Sequence, residues 1–160
     1  MFGPIRERLA WLREQAREGR QLVLCTASDR TIADAIAGHL NLPAGTEVAT
    51  IRRLRSSGGQ PLAVMTNYLP VNLAPDREEL ERAGLYQALR ARGVHIRLAR
   101  QRIGAKAADR EEARLLDEKP KSPLLVMERT AFDDSGRVVE YGSHVYRASR
   151  YFFDTTLVDR

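Results

Sequence analysis

Arg53 and Arg55 lie two residues apart in the run Val48–Arg55. On an extended strand, residues two apart leave the same face, so two guanidinium forks would project side by side. Such a pair can hold a carboxylate or a phosphate through bidentate, charge-assisted hydrogen bonds. The same pattern also suits a solvated sheet face or ion pairs to nearby acids. Arg52 points the other way and reads as an exposed or structural charge. Glu140 and Tyr146 share parity within Val138–Arg147, with Gly142 and His144 between them. A carboxylate there can accept from an amine or hydroxyl, and a tyrosine can close a pocket by ring contact and a hydroxyl bond. The competing reading pairs Glu140 with Arg129 across a hairpin and leaves Tyr146 in the core.

The elements that would position these residues are duplicated. Arg53–Pro61 runs from arginine through a Ser-Ser-Gly-Gly turn into the apolar Leu62–Tyr68. Arg129–Arg137 runs from arginine through Asp-Asp-Ser-Gly into Val138–Tyr146. Each follows an Ala-rich helical segment and a Pro-containing loop. Two such units predict two half-sheets joined into one, with a pocket framed by both. In chain order the periodicity predicts a helix over 4–18 ended by Gly19 and a strand over 21–26. A second helix, capped by Ser28 or Asp29, reaches Leu40 with Ile32, Ala35, Ile36 and Leu40 on one face. A hairpin of 47–55 and 61–69 comes next. A short helix from about Arg77 leads into Gly84–Leu89 and ends at Gly93. A strand over 94–104, a helix capped by Asp109 and running to Leu116, and a hairpin of 124–132 and 138–147 complete the pattern. Residues 151–158 add a last strand or lie across the sheet. The class is α+β, an antiparallel sheet with flanking helices.

Size and composition bound the function. The 160 residues suit one domain with a single core, and 43% hydrophobic with 29% charged residues is ordinary for a soluble protein. No run is long enough for a membrane span and no secretory leader is visible, which points to the cytoplasm. The single Cys25 sits in an apolar run and cannot form an internal disulfide. The net charge of +5 arises from 26 basic and 21 acidic residues that are interspersed along the chain. That pattern favours solvated helix faces over a nucleic-acid stripe. The histidines have no Cys or acid at ligand spacing, so no metal site is expected. Gly58-Gly59 is a hairpin turn, and no glycine-rich phosphate loop or other cofactor motif is present. Tyr86, Trp11, His95 and His144 could reach a pocket, though core or surface roles suit each of them.

A longer pattern joins these pieces. It runs through Val48–Arg55, Gly59-Gln60-Pro61, Tyr68-Leu69-Pro70, Gly84-Leu85-Tyr86 with Leu89, and Ala113–Leu116. It continues with Pro123-Leu124-Leu125, Glu128-Arg129, Gly136, Glu140 and Tyr146-Arg147. This order resembles the UTRA domain, the effector-binding module of GntR-type transcription regulators of the HutC subfamily, over nearly the whole chain. The resemblance implies a chorismate-lyase-like fold that binds a small metabolite, forms homodimers and does no chemistry. It implies ligand anchoring by Arg53 and Arg55, with Glu140 and Tyr146 in the pocket and Tyr86, His144 and Met65 beside them. It implies DNA contact only through a winged helix-turn-helix, which is not among these 160 residues. The start at Met1 suggests an excised effector domain or a second gene start, with a natural stand-alone module as the alternative.

Two departures shape the expected ligand. Several members have Glu where this chain has Met65, and loss of that acid leaves the arginines less neutralised and the wall more apolar. Members that bind sugar phosphates often carry Ser where this chain has Gly84. A small organic anion with an apolar part, such as a carboxylic acid, is therefore expected ahead of a sugar or sugar phosphate. The resemblance makes an effector sensor the leading reading. A chorismate-lyase-like enzyme acting on a small carboxylate is the alternative, and a nucleic-acid module rests on charge alone.

Overall fold

Two three-stranded antiparallel meanders, placed edge to edge, make the sheet of this protein. The computed structural model describes residues 22–27, 30–43 and 45–157. The helix expected over 4–18, with Trp11, and the cap at Ser28 or Asp29 lie outside these residues, as do the side chains of Cys25 and Ile32. The first half consists of β1 (Leu22–Ala27), α1 (Arg30–His39), β2 (Val48–Ser57) and β3 (Gln60–Pro70). The second repeats that order with β4 (Ile96–Ala107), α4 (Arg110–Leu115), β5 (Pro123–Asp133) and β6 (Val138–Arg147). Between the halves stand a short 3₁₀ turn at Val71–Leu73 and the helices α2 (Arg77–Ala83) and α3 (Leu85–Ala91).

The strand order is β1-β2-β3-β6-β5-β4, so the halves meet at β3 and β6, in register from Ala63↔Tyr146 to Tyr68↔Tyr141. The two tight turns are built as their residues require. Gly58 and Gly59 carry φ of 59° and 73°, and Gly136 carries 81°, a region that L side chains rarely enter. In the second turn Asp133 Oδ1 also accepts from the backbone N–H of Ser135 and of Arg137.

Helices cover both faces. On one, α1 packs Ile36 and Leu40 against Val48, Tyr68 and Tyr141. On that same face α4 packs Ala113, Leu115 and Leu116 against Leu54, Val64, Leu124 and Val145. Within α1 it is Ala37, not Ala35, that is buried, because the buried stripe passes through 36, 37 and 40. On the opposite face α2 and α3 bring Leu80, Leu85 and Leu89 onto Ile51 and Leu69. The segment expected as one short helix from Arg77 is two, broken at Gly84 with φ of 73°. Residues 151–157 form no strand. Tyr151 instead stacks on Tyr146, with ring centroids 4.2 Å apart.

Candidate functional site

The face under α2 and α3 carries polar residues where a core would be expected. Register fixes which residues meet there. Arg53 stands opposite Met65, which stands opposite His144, which stands opposite Met127. One step along, Asn67 faces Gly142, and Gly142 faces Arg129. Glu140 lies two residues before Gly142 on β6 and is fully buried.

Asn67 is the hub of this cluster. Its Oδ1 accepts from Arg53 Nη2 at 2.9 Å, and its Nδ2 lies 2.6 Å from Glu140 Oε1 and 3.1 Å from His144 Nε2. Guanidinium only donates and carboxylate only accepts, so these neighbours dictate the amide orientation. With Nδ2 as donor, His144 Nε2 must accept, which places the imidazole proton on Nδ1. Tyr86 of α3 donates its hydroxyl to Glu140 Oε2 at 3.1 Å, tying the helix to the sheet. Gly142 is needed at the centre. A Cβ there would stand 2.7 Å from both Glu140 Oε1 and His144 Nε2.

Burial dominates the electrostatics. Glu140 is 0% exposed, His144 4% and Arg53 9%. Burial pushes the Glu140 carboxyl up, while the bonds from Asn67 and Tyr86 and the charges of Arg129 and Arg53 hold it down. Both donated bonds favour the carboxylate form. Burial also lowers the His144 imidazole to about 4, helped by Arg53 and Arg129, so it is neutral near pH 7. Arg53 is lowered first by burial, with Glu140 opposing. The Tyr86 hydroxyl is raised first by burial and next by Glu140.

The guanidiniums are not saturated. Nε of Arg53 and Nε of Arg129 are both buried with no hydrogen-bond partner. Arg129 lies over the ring of Tyr86, its Cζ 5.1 Å from the centroid. With Glu140 ionised, Arg53 and Arg129 leave one positive charge uncompensated, and Arg55 adds a second at the exposed rim. A positively charged, partly unsatisfied cluster of this kind has the chemistry to receive an anion.

Arg53, Tyr86, Glu140 and His144 thus come together in one bonded group. Met65 and Tyr146 share its face, Met65 half-buried and Tyr146 packed with Ala63 and Met127. Arg55 is on that face but exposed, one step outward from Arg53. The alternative pairing of Glu140 with Arg129 is replaced by bonds to Asn67 and Tyr86. Arg52 faces away and pairs with Glu111 at 2.7 Å, and His95 is exposed. Sequence reasoning missed Asn67, although its parity with Met65 on the strand opposite Arg53 was the available signal. A cavity of about 750 Å³ opens on the opposite face, lined by His39, Asn41, Phe132 and Arg137 among others. None of its lining residues holds a buried unpaired polar atom, and Arg137 is already bonded to Asp133. The polar cluster is therefore the stronger candidate.

The profile of the UTRA domain matches residues 22–151. The chain belongs to the UTRA domain family. The crystal structure of a candidate transcriptional regulator from Streptomyces coelicolor shares 44% identity and a TM-score of 0.78 over 89% of this chain and 95% of that one. The effector domain of PhnF from Mycobacterium smegmatis has a TM-score of 0.76 at 23% identity, over 88% of this chain and 87% of that one; at that identity it speaks for the fold alone. The HTH-type transcriptional regulator Rv0792c of Mycobacterium tuberculosis is 36% identical over 117 residues, 69% of this chain and 44% of its own. The HTH-type transcriptional repressor PhnF of Mycolicibacterium smegmatis is 26% identical over 137 residues, 84% of this chain and 56% of its own. The chain spans about half the length of the curated relatives it matches.

Proposed function

We propose that this UTRA domain is the effector-sensing part of a bacterial GntR-type transcription regulator. It binds a small organic anion in the cluster around Arg53 and Glu140, and no chemistry follows. DNA contact belongs to a winged helix-turn-helix outside these residues, and the protein works as a cytoplasmic homodimer. No helix among the described residues is long and apolar enough to cross a membrane. The observation that carries the reading is the pair of buried, unpartnered guanidinium nitrogens beside a fully buried carboxylate. Leaving such donors unpaired costs free energy, and a bound anion would remove that cost.

Arg53 and Arg55 anchor the acidic part of the effector, Met65, Tyr146 and the ring of Tyr86 face its apolar part, and Glu140 with His144 holds the floor. Binding orders α3 through Tyr86, and that ordering biases the spacing of attached DNA-binding domains. The test is a thermal-shift screen against small carboxylates, amino acids, sugars and sugar phosphates, repeated on Arg53→Ala and Glu140→Ala. We expect an organic acid to raise the melting temperature of the wild type and to lose most of that effect in Arg53→Ala. Equal shifts in both variants would move the site elsewhere. Conversion of a hit to product would make the domain an enzyme of the chorismate-lyase-like kind.

A further inference from the structure

We propose that the effector carries two acidic groups, one held by Arg53 and the other by Arg129, an inference that rests on the effector-binding reading above. The duplication pairs the two arginines. Arg53 opens the first hairpin and Arg129 the second, and they stand on β2 and β5, the second and fifth strands of six. Each is thus the counterpart of the other across the β3–β6 seam. Both face the side covered by α2 and α3, and both bury an Nε without a partner.

Their separation suits a bridging ligand. Three strand spacings and a two-residue offset put the two Cα atoms roughly 16 Å apart. Arginine side chains leaning inward from such positions leave a gap of small-molecule size. Both guanidiniums flank Glu140, and their charges favour its carboxylate form. Glu140 is already engaged on both oxygens by Asn67 and Tyr86. It therefore acts as a fixed counter-ion between the arginines and leaves their outward donors free. Between them the floor is made by Met65, His144 and Met127, with the Glu140 carboxylate and the His144 ring packed over Gly142, so a linker would run above that carboxylate. Single-acid ligands would satisfy only one end. Dicarboxylates and phosphorylated hydroxy acids share the required chemistry.

The experiment is calorimetric titration of the 160-residue protein with succinate, glutarate, adipate and phosphoglycolate. Butyrate, valerate and hexanoate serve as the single-acid counterparts. We expect at least one diacid to bind about tenfold or more tighter than its counterpart, the scale of one charge-assisted pair. Arg129→Ala should abolish that gap, weakening the diacid about tenfold more than its single-acid counterpart, and Arg53→Ala should weaken both kinds of ligand. Arg129→Gln, which keeps part of the aliphatic stem and a polar end without the charge, repeats the test if the alanine variant misfolds. Which of the two acid classes binds identifies the second group as carboxylate or phosphate. A diacid preference that survives loss of Arg129, or no binding by any diacid, overturns the inference. Binding confined to single-acid or neutral ligands, lost in Arg53→Ala and kept in Arg129→Ala, would overturn it too, while leaving the sensor reading intact.

Discussion

Asn67 holds three charged or titratable neighbours with one amide, so its loss should be felt at each of them. Asn67→Ala strands Arg53 Nη2, one Glu140 oxygen and His144 Nε2. We expect urea denaturation to show a loss of about 2–3 kcal/mol, the scale of buried groups left unsatisfied. A loss below about 1 kcal/mol would mean that water takes over these bonds. His144 sets a pH dependence whose sign follows from its depressed value. The unfolded imidazole takes up its proton near 6.5 and the folded one near 4. Between those values the unfolded chain holds more protons, so stability rises with pH across that window and falls as acid is added. The contribution is about 3 kcal/mol in full. Glu140, raised by burial, acts in the opposite direction above its ordinary value. Comparing wild type with His144→Gln, which keeps an acceptor for Asn67, isolates the histidine. Parallel stability curves from pH 4 to 7 would refute the assignment. At this scale the shared face of Arg53 with Arg55, and of Glu140 with Tyr146, was legible in the sequence because strand parity sets it. Asn67 was not, because an amide in a strand carries no charge signal and its importance arises only when β6 is laid beside β3.

Local signals fixed the elements best where a side chain meets its own backbone. Asp109 accepts from the Glu112 N–H at 2.8 Å while the Glu112 side chain reaches back to the Asp109 N–H at 3.1 Å. Asp76 and Glu79 form the same box at the start of α2. Asp109→Ala should cost about 1 kcal/mol, read as a shift in the urea midpoint with unchanged slope. No shift would mean that α4 is held by packing alone. The cap at Asp109 was readable in advance, and the identical spacing at Asp76 was open to the same reading. The length of β4 was not readable. It continues to Ala107 because it pairs with β5 as far as Pro123, a partner distant in sequence, and its own residues show little apolar periodicity.

The molecule as a whole has a well-covered centre and an open flank. β3 and β6 are central, whereas β4 is an edge strand exposed over most of both faces, with Leu98 58% and Ile103 41% exposed. Amide exchange should be slowest in β3 and β6 and fastest, among β2 to β6, in β4. For a homodimer that uses this edge, the outward amides of β4 should gain protection as protein concentration rises. Constant exchange in β4 from micromolar to millimolar protein would place the dimer contact elsewhere. The duplication was visible as two similar hairpins, but nothing in either hairpin says which edges join. That choice depends on burying Ala63, Val64, Val145 and Tyr146 together.

The seam also has a consequence in time. β3 and β6 join residues 73 apart at Tyr68↔Tyr141 and 83 apart at Ala63↔Tyr146, while every other pairing closes within its own half. Loop closure over such distances is the slow part of folding, so each meander can form early and the seam must zip late. Arg53 and Asn67 belong to one half, and Arg129, Glu140 and His144 to the other. A newly made chain can thus hold most of its strands before it can recognise anything, and recognition arrives only with the final docking of its halves.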